Sequence, residues 1–226
     1  MITRLSRTTY VFLLLGLALA APFPPQTPAN EHAQIQQRKT SEPYTGDFSI
    51  FEYKDRDKKL HVDRVMGILA IAPGKTVADI GAGSGWFTVR AARRVGPAGL
   101  VYAVDINPKA IDYIRELVAR DGLSNVQAIL SKPDDPLLPA ASIDAVLLLK
   151  TYHEVAEPIA LMKKLHAALR PRARVGIIDR NGNGENHGVG RDTVVQELVQ
   201  AGYRLIGEYD FVKSDGEDYF LVFELR

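Results

Sequence analysis

Apolar and polar positions along this chain switch repeatedly between two periods. Val62, Val65, Met66, Leu69 and Ala70 recur at helical spacing and lead through Pro73-Gly74 into a β-rich run. Runs near 76–80, 100–105, 125–130, 144–150 and 174–179 predict strands, and stretches near 84–95, 108–121 and 157–169 predict helices between them. Asn107 and Pro108 suit the N-cap and first residue of the helix that carries Ile111, Ile114, Leu117 and Val118. Val194, Val195, Leu198 and Val199 predict a late helix closed by Ala201-Gly202. Two runs follow, Tyr203–Val212 and Tyr219–Leu225, and Lys213-Ser-Asp-Gly216 between them reads as the joint of a hairpin. Strands alternating with helices imply an α/β fold: a Rossmann-like, doubly wound sheet, mostly parallel, with a terminal hairpin.

Before this pattern begins the chain has a different character. Arg4 and Arg7 precede an uncharged run from Tyr10 to Ala21, and Ala18-Leu19-Ala20 offers small residues for cleavage, so residues 1–21 read as an export signal or N-terminal anchor. The run is short for a membrane span, and Pro22, Pro24, Pro25 and Pro28 stop a helix. Contact with a membrane is expected only through this segment, if it stays uncleaved. The protein is then exported, or cytoplasmic if the start is misassigned. Residues 22–46, rich in Pro, Gln, Thr and Glu, read as a linker without a packed role, and 47–226 as one domain.

With 226 residues, 46% hydrophobic and 24% charged, the chain can bury a core of its own. It has no cysteine. Disulfides, cysteine zinc sites and a thiolate nucleophile are therefore excluded, as is capture of arsenite through thiols. No His/Asp cluster has the spacing of a metal site, so no metal is expected. Without residues 1–20 the chain carries 28 − 2 = 26 basic against 27 acidic residues, with no basic run. Nucleic acid is not an expected partner, and a small molecule or a protein side chain is.

The candidate chemistry starts at Val77-Ala-Asp79-Ile-Gly81-Ala82-Gly83-Ser-Gly85-Trp-Phe87, where a strand meets a helix through three alternate glycines. Glycines there free the backbone for unusual dihedrals and let a ligand approach the main chain. The dinucleotide fingerprint places its third glycine one residue later, and no Lys-Ser/Thr of a P-loop follows. A cofactor without phosphates fits this spacing better. Asp105 closes the next strand 24 positions beyond Gly81, where an acid can accept both ribose hydroxyls. A glycine turn alone also fits an NAD(P)-dependent oxidoreductase or a non-catalytic adenosyl-cofactor-binding module.

From about Val62 to the C-terminus the chain resembles the class I S-adenosylmethionine-dependent methyltransferases. Asp79-Ile-Gly-Ala-Gly-Ser-Gly85 is similar to the family's first motif, and Val104-Asp105-Ile106 to its ribose-binding second. Asp134-Asp135-Pro-Leu-Leu-Pro139 resembles the segment whose acid meets the adenine amino group; the spacing to Pro139 favours Asp134, with Asp135 the alternative. Ser142 to Lys150 looks like the fourth strand, and Leu169-Arg-Pro171 through Asp179 like the fifth, with Pro171-Arg172-Ala173 standing where the family has Pro-Gly-Gly. The resemblance implies S-adenosyl-L-methionine as cofactor, methyl transfer as activity and a last strand inserted antiparallel. Asp79, Gly81, Ala82, Gly83, Gly85, Asp105, Ile106 and Asp134 or Asp135 would hold the cofactor, with Lys150 lining the pocket.

The acceptor belongs at the carboxyl ends of the strands, where ligands collect in open α/β sheets. Phe48–His61 is placed to form a lid there, Thr151-Tyr-His153-Glu154 follows the fourth strand, and the glycine-rich stretch Arg180–Gly190 follows the fifth. A sulfonium donor is already activated, so alignment is the main requirement. An oxygen or nitrogen acceptor that loses a proton gains from a base, and His153 and His187 are the candidates. The bland alternatives are a turn hydrogen bond for His153 and simple solvation for His187.

Overall fold

The strand signals become a seven-stranded sheet in the order β3-β2-β1-β4-β5-β7-β6. The computed structural model describes residues 38–226, so the expected export segment and the linker as far as residue 37 lie outside the described residues. Among the described residues no helix is long and apolar enough to cross a membrane. The elements are α1 (Arg56–Leu60), α2 (Val62–Ile68), β1 (Thr76–Ile80), α3 (Trp86–Val95), β2 (Leu100–Asp105), α4 (Pro108–Arg120), β3 (Val126–Leu130), β4 (Ile143–Leu149), α5 (Pro158–Ala168), β5 (Leu169–Asp179), α6 (Arg191–Gln200), β6 (Tyr203–Tyr209) and β7 (Tyr219–Leu225).

β1 through β5 run parallel, and β7 enters antiparallel beside β5 with β6 outside it. The order reverses between β1 and β4, which opens a crevice at their carboxyl ends. Register sets what faces that crevice: Ile80 lies opposite Val104 on one side and Leu148 on the other, so the Gly81 turn emerges beside Asp105 and Thr151.

Period-two alternation sends side chains to two layers. Val77, Val101, Ala145 and Leu147 pack with α2 and α3, where Val65, Leu69, Ala91 and Val95 close the layer. Ala78, Val104, Val146 and Leu148 pack with Met162 and Leu165 of α5 and Val194 and Leu198 of α6. Asn107 caps α4 as expected, its side chain accepting from the Lys109 N–H, with Pro108 opening the helix.

Two expectations change. The run 203–212 is not one strand: β6 ends at Tyr209 and Phe211–Asp215 is a turn of 3-10 helix, with Val212 buried in the α2–α3 layer. Its apolar residues serve burial of a connection, so the joint to β7 is longer than a tight hairpin turn. The stretch 38–46, expected as linker, is packed. Arg38 pairs with Glu197 of α6 at 2.9 Å and donates to the Tyr152 carbonyl at 2.6 Å, and Ser41 is buried.

Candidate active site

A cavity of about 350 Å³ occupies the crevice, walled by the glycine turn, the end of β2, the turn after β3 and the residues after β4. The glycines divide their work. Gly83, at φ +52, has nothing closer to its missing side chain than the Gly81 carbonyl at 4.0 Å, so its bare backbone faces open space in the wall. Gly81 has φ +70, and a Cβ there would lie 2.1 Å from the Thr151 hydroxyl, so it lets β1 and β4 close together. Gly85 does not line the cavity: a side chain there would meet Leu117 and Ile114 of α4 at 3.1 and 3.2 Å, so its expected cofactor role becomes helix packing. Ala82 and Ile106 line the wall as expected.

Asp105 stands at the end of β2 but is not uncommitted. Its Oδ2 accepts the Gly83 N–H at 2.9 Å and its Oδ1 the Asn107 N–H at 2.8 Å, so it ties the glycine turn to the start of α4. A carboxylate has about four acceptor sites, which leaves lone pairs for ribose hydroxyls. Asp79 borders the cavity, almost fully buried, and accepts the Thr88 hydroxyl at 2.6 Å. Burial pushes its pKa up to about 7, against the pull of the Thr88 hydrogen bond.

Asp134 and Asp135 do not line this cavity. The turn presents Ser131, Lys132, Pro133 and Pro136 instead, while Asp135 accepts the Leu137 N–H at 2.9 Å and faces Lys164 at 3.5 Å. Asp134 is exposed, and Asp135 is engaged in closing its own turn. Lys150 does border the cavity, yet its ammonium lies 2.8 Å from Glu217 and 3.1 Å from Asp215. Its expected contribution to the cofactor is therefore limited to the wall.

Sequence reasoning missed three parts of the site. Thr40 to Tyr44 form one wall, where Tyr44 meets Phe51 edge-on at 5.1 Å and Phe48 at 6.1 Å. Arg56 lines the floor, its guanidinium 4.1 Å from the centre of the Trp86 ring. Polar, proline-bearing sequence gave the first wall no periodic signal. The third part is Asp179, and it is decisive for the acceptor end.

His153 is buried and its Nδ1 lies 2.8 and 2.9 Å from the two oxygens of Asp179. The same carboxylate accepts the backbone N–H of His153 at 3.1 Å and of Arg180 at 2.9 Å. A carboxylate used throughout as acceptor assigns a proton to Nδ1, with Nε2 on the far side of the ring. Glu154, on the cavity wall, stands 3.8 Å from that Nε2, and the His187 ring lies perpendicular to that of His153 at 5.7 Å between centres. Glu154 has its pKa pushed up to about 7 by burial, against the nearby His153. No metal set was expected from spacing, yet ligand atoms of His153, Glu154 and His187 all lie within 4.8 Å of one another.

The loop that carries His187 is pinned. Its N–H donates to the Ser41 hydroxyl at 2.8 Å, that hydroxyl donates to the Gly184 carbonyl at 2.9 Å, and the Gly184 N–H donates to Gly188 at 2.8 Å. Segment 38–44 thus straps the loop beside His153.

Residues 77–172 match the family model described as methyltransferase domain. Over that stretch the chain is similar to methyltransferase domains. The solved structure of an S-adenosylmethionine-dependent methyltransferase from Aquifex aeolicus shares its fold with a TM-score of 0.72 at 24% identity, over 80% of this chain and all of that one. Aeropyrum pernix fibrillarin with natively bound S-adenosyl-L-methionine overlays with a TM-score of 0.57 at 17% identity, over 74% of each chain. Among curated proteins, the arsenite methyltransferase of Halobacterium salinarum is 34% identical over 110 residues, 49% of this chain and 28% of that protein. The chain spans less than half the length of the first curated relatives it matches.

Proposed function

We propose that the protein transfers the methyl group of S-adenosyl-L-methionine to an oxygen or nitrogen of a small molecule or protein side chain. The observation that carries this reading is the cavity itself: bare backbone at Gly83, the Asp105 carboxylate beside it and the buried Asp79 all border one space of about 350 Å³. These features fit the cofactor. Gly83 leaves room for close approach, Asp105 keeps lone pairs for hydroxyls, and Asp79 offers a carboxylate to the cationic portion.

When bound, the cofactor supplies an activated methyl group. The chain's own residues align and dry the site: Tyr44, Phe48 and Phe51 line the cavity, as does Glu154, with His153 and His187 adjoining Glu154 outside the lining. The Asp179–His153 pair, next to the cavity-wall residue Glu154, supports His153 as the base for an acceptor that must lose a proton. Arsenite is a poor candidate despite the relative named for it, because this chain has no thiol to hold it.

Thermal unfolding with S-adenosylhomocysteine or NADH tests the reading. At 100 times its dissociation constant the former should add about 2.7 kcal/mol, equivalent to roughly 5–10 °C in Tm for a domain of this size. No shift, or a larger one with NADH, would overturn it in favour of a nicotinamide enzyme or an unrelated ligand.

A further inference from the structure

Beside the cavity Nε2 of His153 and the Glu154 carboxylate face each other. Nδ1 of His153 is held by Asp179, and the Glu154 carboxylate lies 3.8 Å from its Nε2, beyond hydrogen-bond reach. Among the described residues Glu154 forms no ion pair with a lysine or arginine, and its electrostatic neighbours include the acids Asp105 and Asp179. His187 closes the third side, its ligand atom within 4.8 Å of the other two. We propose that these three residues bind a divalent first-row transition ion, through Nε2 of His153, a carboxylate oxygen of Glu154 and a ring nitrogen of His187.

The donor set supports this choice of ion. Two imidazoles with one carboxylate suit zinc or iron-type sites with open positions, whereas calcium and magnesium favour all-oxygen cages. The support behind the ligands points the same way. A metal-binding histidine ordinarily gives its other N–H to a carboxylate, and Asp179 is fully buried and held in place by the N–H groups of His153 and Arg180. Nitrogen and oxygen ligands lie about 2.1 Å from such an ion, which sets neighbouring ligand atoms roughly 3.4 Å apart in a tetrahedron. The separation must close by up to about 1.4 Å. His187 is the exposed member, so its side chain can turn toward the other two while Ser41 and Arg180 hold its backbone.

A metal and a proton are alternatives on one nitrogen. With the ion bound, His153 acts as ligand, and the open positions next to the cavity take an oxygen donor of the acceptor. That last role rests on the methyl-transfer reading; binding of the ion does not.

The test uses the full chain, untagged and treated with chelator, titrated with Zn²⁺ by calorimetry and with Co²⁺ by visible absorption. One equivalent should bind, with cobalt bands of a nitrogen- and oxygen-ligated site. His187→Ala and Glu154→Gln should each weaken binding at least tenfold. Asp179→Asn should cost about 10- to 100-fold, and Glu185→Gln, on the same loop but paired with Lys39, should change nothing. Circular dichroism confirms the fold of each variant. Failure of the folded wild type to bind either ion, or unchanged binding in both ligand variants, would overturn the proposal. S-adenosylhomocysteine affinity of the same samples reports separately on the methyl-transfer reading, since the chelated protein should bind it undiminished.

Discussion

Asp79→Asn is the sharpest probe of how the core and the cofactor site are linked. Asp79 is 2% exposed at the end of β1, and burial raises its pKa from 3.8 to about 7 against the Thr88 hydrogen bond. The folded protein therefore holds a proton that the unfolded chain has already released. The stabilisation this gives is complete below about pH 4 and is lost as pH rises through 7, because the unfolded state binds fewer protons over that interval. From pH 5 to pH 7 the difference is close to one proton at first and half a proton at the end, which amounts to about 2 kcal/mol. Asparagine cannot titrate, yet it still accepts from the Thr88 hydroxyl. Urea unfolding at pH 5, 6 and 7, followed by fluorescence of Trp86, the sole tryptophan, should show wild type losing about 2 kcal/mol more than the variant. Glu154 also titrates near 7 but is present in both proteins, so the difference belongs to Asp79. Parallel pH profiles would refute the account. Functionally, a cationic ligand group beside Asp79 favours its ionised form, so wild-type cofactor affinity should rise from pH 6 to 8 while that of the variant stays flat.

The cofactor wall yields further expectations. Gly83→Val sends a side chain into the cavity from a left-handed backbone, at a strain of about 1–2 kcal/mol, and should abolish the thermal shift by S-adenosylhomocysteine; a retained shift would show that backbone approach at Gly83 is not used. Asp105→Asn weakens acceptance from Gly83 and Asn107 and should cost about 1.5–3 kcal/mol in urea unfolding. The same variant should lower S-adenosylhomocysteine affinity at least tenfold by calorimetry, and an unchanged affinity would remove the ribose assignment.

What was legible beforehand was local. The strand runs, the cap at Asn107 and the glycine turn each announce themselves within a few residues, and the parallel order follows from their alternation. Facing was not legible. Asp134 and Asp135 have suitable spacing, but spacing does not say which side of a turn a carboxylate takes, and Asp135 takes the Leu137 N–H of its own turn. Gly85 belongs to the right motif and serves α4 instead. Segment 38–46 has the composition of a linker, and what packs it is a handful of single bonds from Arg38 and Ser41 that leave no periodic trace.

Three strands of the parallel sheet place an aspartate at or next to their carboxyl end, Asp79 on β1, Asp105 on β2 and Asp179 on β5. Equivalent positions did not give equivalent roles. Asp79 accepts one hydroxyl and keeps its proton to about pH 7, Asp105 ties two backbone N–H groups of the loops it joins, and Asp179 holds an imidazole. The edge of a parallel sheet thus supplies a row of carboxylates at the ligand side. The donor each one meets then decides whether it acts as a buried acid, a loop tie or the support of a neighbouring histidine. Because those donors come from elements distant in the chain, the row can be read from sequence while the division of labour along it comes only with the fold.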